Sequence, residues 1–412
     1  MGSIWRLVRD GLGTLLALTE SGVFWMQGSE LNPRGEDNRF LWGNYAPVQG
    51  DLFVPNLPVT TGKLPPEVTG LFARNGPNPA YISAGYHWFD GSGYIHSLRL
   101  DAATQTANYS GQFVQTPILM GDHRATHILN VFMYMCDGSP IPASFVFHFG
   151  NAWEEEGSEK GRHGHRLIKM ETHRYEHFEL DFEGTIEKPN ATEKHHAWTR
   201  DELDARVAHL YEYTIDLTSS CLLSSTRLFP PSADPRGWEF PQVDGRRAGR
   251  RTRYLYATAF NHAGEGEGFV KIDLEGGREG GREGGVGLVK VNYEEGTFGG
   301  EVIFVPREDK GGKEGGEEGG EDDGFLLTFV HSYPRNVSEF RVYDAREVEG
   351  GREGGEKGGL VASVVLPRRV PWGFHALWVG EKELKEQQGM VRLRKGKVVK
   401  EEGKGEGGKE EL

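Results

Sequence analysis

From Asp51 onward the chain is cut into short β-rich runs by Gly, Pro, Asn and Asp, and no long helical period intervenes. The runs include Leu98–Leu100, Phe145–Phe149, Leu210–Leu217, Tyr254–Phe260, Gly268–Leu274, Val302–Val305, Phe325–Val330, Phe340–Tyr343 and Leu360–Leu366. Short β-rich segments punctuated by turn formers predict an all-β fold of sandwich, barrel or propeller type. Strand endings of the form I-D-L recur at Tyr213–Leu217 and Val270–Leu274, with a related Y-D-A ending further on. They are compatible with repeated blades.

Three segments have a different character: Glu275–Gly285, Glu308–Asp323 and Glu347–Gly359. They are built almost wholly of Gly and charged residues, so they bury too little apolar area to offset ordering entropy. They are expected as flexible surface loops between strands, carrying no chemistry. The charged tail 381–412 is expected to fray or form a solvated helix. The division is then an N-terminal segment 1–42, a folded body 43–380 and the tail. Within the first, Ile4–Met26 mixes Trp5, Leu7, Val8, Leu12, Leu15 and Leu16 with Arg6, Arg9 and Asp10. That mixture suits either an amphipathic helix resting on a membrane or a core-packed or frayed terminus.

A net charge of −14 argues against nucleic acid as a partner, because phosphate binding needs clustered Lys and Arg. Two cysteines, Cys136 and Cys221, supply neither a disulfide framework nor a thiolate zinc site, which makes a reducing compartment plausible. No apolar stretch reaches the roughly 20 residues that span a bilayer.

Fifteen histidines make a metal site the first chemistry to test. His148 lies in Phe145-Val146-Phe147-His148-Phe149, and His375 in Pro371-Trp372-Gly373-Phe374-His375-Ala376. Imidazoles converging from separate elements, each held by a carboxylate, are the usual way to bind iron. Taken one at a time, each also reads as a buried histidine satisfied by a backbone carbonyl. The adjacent His195 and His196 point to opposite faces if extended, so they do not chelate one ion easily and read as solvated.

The stretches FHFGNAWEEE and LPRRVPWGFHALWV resemble the third and fourth histidine motifs of the carotenoid cleavage oxygenase family. GNYAPV at 43–48 and GLFARNGPNPAYISAGYHWFDGSGYIHSLRL at 70–100 are similar to its N-terminal signature. WEFPQVDGRRAGRRTRYLYA at 238–257 resembles its E-F-P block, and FGGEVIFVPR, EDDGFLLTFVH and SEFRVYDA follow in family order. The resemblance covers about 43–117 and 145–380. It implies a seven-bladed β-propeller with ferrous iron on its axis. His148 and His375 would be iron ligands, with Glu239 and Glu301 as the carboxylates behind them. An exposed strand charge is the other reading of both glutamates, and fits Glu301 better. His87 and His96 would be structural.

The family's T-A-H-P-K motif has no counterpart here, and its second histidine motif has only HRATHILNVFMYM to match it. There His123 keeps the spacing to Asn130 and is the candidate third ligand, with His127 as a weaker substitute; both also read as solvated loop residues. The chain passes from the first blade region to the third histidine, as though about two blades were missing. The resemblance implies an iron(II) dioxygenase that cleaves a conjugated double bond of a carotenoid or apocarotenoid with O₂. The N-A-W-E-E form is similar to plant and algal members, which suggests a 9-cis-epoxycarotenoid. A monomer, peripheral membrane contact and a plastid follow from the same resemblance; otherwise the chain is cytoplasmic, since the N-terminus does not read as a transit peptide. The rival reading is an impaired or inactive propeller that at most binds carotenoid, either a degenerate member or the product of an incomplete gene model.

Overall fold

The computed structural model describes residues 39–79, 88–114, 144–157, 164–177, 204–230, 233–261, 264–275, 287–307, 320–348 and 358–386, and the backbone of 392–394 and 397–399. His87, His123, His127, His195, His196 and the segment 1–38 lie outside them. Four antiparallel sheets of four to six strands account for nearly all of the described chain. The first contains β1 (Leu52–Pro58), β3 (Gly70–Pro77), β4 (Gly93–Asp101) and β5 (Thr106–Phe113), in the order β1-β5-β4-β3. The second is the meander β6 (Phe145–Glu156), β7 (Arg166–Tyr175), β8 (His209–Asp216) and β9 (Cys221–Arg227). The third is the meander β10 (Gly237–Gln242), β11 (Tyr254–Phe260), β12 (Gly266–Asp273) and β13 (Gly287–Asn292). In the fourth, β14 (Thr297–Gly299) and β15 (Ile303–Pro306) both pair with β16 (Gly324–Ser332), followed by β17 (Val337–Asp344) and β18 (Leu360–Val365).

Two further strands tie the ends of the body together. β2 (Thr61–Gly62) joins the fourth sheet beside β18, and β19 (Ala376–Gly380) joins the first beside β3. The β19 register, Ala376 opposite Arg74 through Gly380 opposite Gly70, sets His375 at the mouth of the first sheet. Among the described residues the tail forms a short helix, Glu381–Glu386, then β20 (Arg392–Arg394) and β21 (Lys397–Val399). No helix is long and apolar enough to cross a membrane among the described residues.

The recurring strand-terminal aspartate has a physical cause. Asp101, Asp216, Asp273 and Asp344 end β4, β8, β12 and β17, one in each sheet. Each carboxylate accepts hydrogen bonds from backbone N–H groups two or three residues on, starting the turn to the next strand. Two of the Gly/Glu-rich segments follow this aspartate in the third and fourth sheets, where extra residues leave the strand pairing intact.

Two parts of these segments depart from the expected flexible loop. Val348 is 1% exposed and belongs to the core. Glu321, Asp322 and Asp323 are held by Arg247, Lys271, Arg307 and Arg346. An apolar residue and a ring of basic partners offset the ordering cost that pure Gly/Glu sequence cannot.

Core packing explains why the strands sit where they do. All nine residues of β16 are buried, so both of its faces are covered. β4 alternates instead, sending Tyr94, His96, Leu98 and Leu100 inward. Phe72 of β3 meets Phe329 and Phe340 of the fourth sheet with ring centroids 4.9 and 5.1 Å apart. Edge-on and tilted contacts of this kind join the first and last sheets into one core.

Candidate metal centre

His148 stands on β6 between two irregularities, one between Val146 and His148 and one between Phe149 and Asn151. Bulges bend a strand and redirect its side chains. The strand is pinned beyond them by Asn151, whose amide donates to the Arg250 carbonyl at 2.7 Å and accepts from Gly249 N–H at 3.1 Å. His148 Nδ1 lies 2.7 Å from Glu239 Oε2, so Nδ1–H donates to the carboxylate and the Nε2 lone pair points away.

Glu239 is placed by the E-F-P turn. Phe240 has φ +56°, a left-handed conformation that is costly for an aromatic residue. The register passes from Glu239 opposite Thr258 to Gln242 opposite Tyr256, so β10 carries one extra residue. In a regular strand residues 239 and 242 would face opposite sides; with the extra residue both serve the same site. Gln242 Nε2 donates to Glu301 Oε1 at 2.8 Å. The Phe240 ring is set between both histidines, its centroid 4.8 Å from that of His148 and 5.5 Å from that of His375.

Glu301 lies in the break between β14 and β15. It is 2% exposed and Glu239 is 5% exposed, so neither is the surface strand charge that the sequence also allowed. Ala376 N–H donates to Glu301 Oε2 at 2.5 Å, and His375 Nδ1 stands 3.5 Å from Oε1. The backbone of His375 is fixed against β3: Phe374 N–H donates to the Asn75 carbonyl at 2.8 Å, and Asn75 N–H to the His375 carbonyl at 2.9 Å.

The result is two imidazoles meeting tip to tip, with Nε2 of His148 3.3 Å from Nε2 of His375. Two neutral rings held this way oppose lone pair to lone pair, unless a proton or a cation lies between them. Imidazole bonds of about 2.1 Å at about a right angle put two donors on one metal about 3 Å apart. The pair therefore fits adjacent positions on a single ion, and each ring has the carboxylate partner that metal-bound histidines use. Neither histidine is buried on a backbone carbonyl, the other role the sequence allowed; the side chains are 22% and 60% exposed.

The electrostatics follow from burial and contact. Burial pushes the Glu239 carboxyl above its ordinary value, against the hydrogen bonds from His148 and Tyr175. Burial likewise raises the Tyr175 phenol, and the adjoining Glu239 adds to this. The hydrogen bond to Glu301 raises His375.

Phenylalanines neighbour His148 along β6. Phe145, Phe147 and Phe149 are 39%, 36% and 58% exposed. Phe147 meets Phe89, which in turn meets Phe374.

Of the residues expected from the sequence, His148, His375, Glu239 and Glu301 come together here. His123 lies outside the described residues, and among those residues no group of three or more His, Cys, Asp or Glu could hold an ion. His96 is buried with Nδ1 2.7 Å from the Tyr109 hydroxyl, away from this centre. Sequence reasoning missed Phe240, Gln242 and Tyr175. A proline directly after Glu-Phe in a strand was the one local signal of the kink.

Comparison with known proteins identifies the family and the fold. The profile of the family described as "RPE65: Retinal pigment epithelial membrane protein" matches residues 45–139 and 134–380. A carotenoid 9,10(9′,10′)-cleavage dioxygenase of Arabidopsis thaliana is 32% identical over 253 residues, which are 60% of this chain and 38% of that protein. A chromoplastic zeaxanthin 7,8(7′,8′)-cleavage dioxygenase of Crocus sativus is 32% identical over 254 residues, 60% of this chain and 54% of the relative. A chloroplastic 9-cis-epoxycarotenoid dioxygenase of Arabidopsis thaliana is 27% identical over 251 residues, 60% of this chain and 33% of the relative. The matched part thus spans well under two thirds of the length of each relative. The cobalt-substituted Synechocystis apocarotenoid oxygenase superposes with a TM-score of 0.58 at 16% identity, covering 84% of this chain and 99% of the other, a likeness of fold. With the profile matching most of the folded body, the chain belongs to the RPE65 family, that of the carotenoid cleavage oxygenases.

Proposed function

We propose that His148 and His375 hold ferrous iron and that the chain adds O₂ across a conjugated double bond of a carotenoid or apocarotenoid. The observation that carries this reading is the 3.3 Å approach of the two Nε2 atoms, each ring backed by a buried carboxylate. When bound, iron supplies the activation of O₂. The protein's own residues do the rest. Glu239 and Glu301 hold the Nδ1 protons, so both lone pairs converge. Phe240 walls the pair, and the phenylalanines of β6 offer apolar faces on which a flat polyene stacks. His123 is the proposed third ligand.

The finer fold reading belongs to this proposal: a propeller of seven-bladed type with about two blades absent, whose axis passes the histidine pair and to which the four described sheets belong. So do a monomeric state, a plastid location, peripheral membrane contact, and a 9-cis-epoxycarotenoid among the substrates. A second reading, binding of carotenoid without cleavage, is favoured by one observation: among the described residues the donor set stops at two histidines.

Iron content of the purified chain, with the O₂-dependent loss of carotenoid absorbance, separates the two. The oxygenase reading expects about one iron per chain and bleaching with two carbonyl products. Folded protein with less than about 0.1 iron per chain sinks it. Uptake unchanged in His375→Ala sinks the ligand assignment.

A further inference from the structure

The two histidines are not held alike. Nδ1 of His375 stands 3.5 Å from its carboxylate oxygen, against 2.7 Å for His148. His375 is also the more exposed ring, its side chain 60% accessible against 22%. So open a ring does little to fix its carboxylate in return, and Glu301 needs other partners to stay aimed at it.

The backbone before Glu301 is gripped from two sheets. The Gly300 carbonyl accepts from Thr258 Oγ1 of β11 at 3.1 Å and from Thr328 Oγ1 of β16 at 3.4 Å, and both threonines are fully buried. Gly300 N–H donates to the Phe329 carbonyl at 3.3 Å.

The carboxylate itself is gripped at both oxygens. Ala376 N–H donates to Oε2, and Gln242 Nε2 donates to Oε1 at 2.8 Å. The last torsion of a glutamate is soft, so one such bond leaves the carboxylate plane free to turn and the second fixes it. Oε1 has two lone pairs and so can serve Gln242 and the Nδ1–H of His375 together. The two donors are not equivalent. Ala376 belongs to the same segment as His375 and moves with it, whereas Gln242 belongs to the third sheet and supplies an outside reference.

Gln242 also stands three residues from Glu239, across the extra residue of β10 and the left-handed Phe240. One short turn therefore presents the carboxylate that holds His148 and the carboxamide that holds the carboxylate of His375. We propose that Gln242 is a positioning residue for His375, and that the turn Glu239–Gln242 sets both rings, one directly and one through Glu301. The inference rests on reading the histidine pair as a metal centre, but on neither the identity of the metal nor the oxygen chemistry.

Gln242→Met keeps most of the side-chain length and removes the donor. The first measurement uses the metal-free chain, with histidine isotope-labelled in its ring nitrogens, at a pH where both rings are neutral. His375 is expected to show the Nδ1–H tautomer in the unaltered chain and an averaged pair of tautomers in Gln242→Met, while His148 keeps its own. His375→Ala and His148→Ala assign the two signals. In Co²⁺ titrations Gln242→Met should weaken binding about threefold to tenfold. That loss should shrink in a Glu301→Gln background and persist in a Glu239→Gln background. An unchanged His375 signal in folded Gln242→Met overturns the proposal. Tighter cobalt binding overturns it too, since Gln242 would then be competing with His375 for Oε1. Both rings changing together marks a general loosening of the fold and refutes the specific role. Gln242→Ala gives the same readings if the methionine variant does not fold. An unaltered chain that takes up no cobalt sinks the metal centre, and the metal-free His375 signal still decides what Gln242 does.

Discussion

The Nε2 atoms of His148 and His375 approach to 3.3 Å although the two residues are 227 positions apart in the chain. The first stands on a bulged strand of the second sheet and the second just before the strand that joins the first. Neither ring reaches the other by chance of local geometry: Glu239 orients one and Glu301 the other.

Removing one carboxylate should therefore loosen one ring. Glu239→Gln is expected to lower Co²⁺ affinity about 10–100-fold, read from the cobalt absorption bands during titration. Glu301→Gln should do the same, since one amide oxygen cannot serve both Ala376 N–H on one side and His375 and Gln242 on the other. Cobalt affinity equal to that of the unaltered chain in both variants would remove the orienting role.

Phe240 combines a left-handed backbone with a ring against both histidines. Phe240→Asn keeps a residue that tolerates positive φ and takes away the ring. The melting temperature is expected to move little, while affinity for an apocarotenoid, followed by quenching of tryptophan fluorescence, falls several-fold to about tenfold.

Glu171 supplies a pH test outside the histidine pair. Burial, with Glu212 adding to it and Arg251 opposing it, pushes its carboxyl up to about 8. A folded-state value above that of the unfolded chain means that the native state keeps the proton longer. Stability is then greatest below the ordinary carboxylate range and falls as pH rises through about 8. Glu171→Gln should flatten the denaturant midpoint over that interval and stabilise the alkaline end by a few kcal/mol. An unchanged slope would show that this carboxylate ionises freely.

Phe72 is fully buried between Phe329 and Phe340. Phe72→Ala is expected to cost about 3–5 kcal/mol in urea unfolding, because the sheets on either side cannot collapse into the gap.

Much of the strand plan was legible because apolar residues crowd particular strands. Tyr254–Phe260 coincides with β11, and the runs at 325–330 and 340–343 fall inside β16 and β17. β7 was invisible for the opposite reason. Its Glu171, Thr172, His173 and Arg174 are all buried, and a run of polar residues gives no apolar signal. β19 was hidden by its length of five residues and by its pairing with β3, far away in sequence. At the candidate centre, motif resemblance identified His148, His375, Glu239 and Glu301. Phe240 and Gln242 escaped because their placement depends on a positive φ and an extra residue in β10, which residue type does not reveal. Val348 was lost among the glycines and glutamates that surround it.

The pairing of β19 with β3 also sets a schedule for biosynthesis. The ribosome makes the first sheet with one position empty, and three more sheets must emerge before the strand that fills it. His375 arrives with that strand, so a nascent chain stalled before it has one of the two facing imidazoles and cannot grip a metal between them. An ion held between the two rings, as the proposed function has it, would therefore be gripped only once this closing strand is in place.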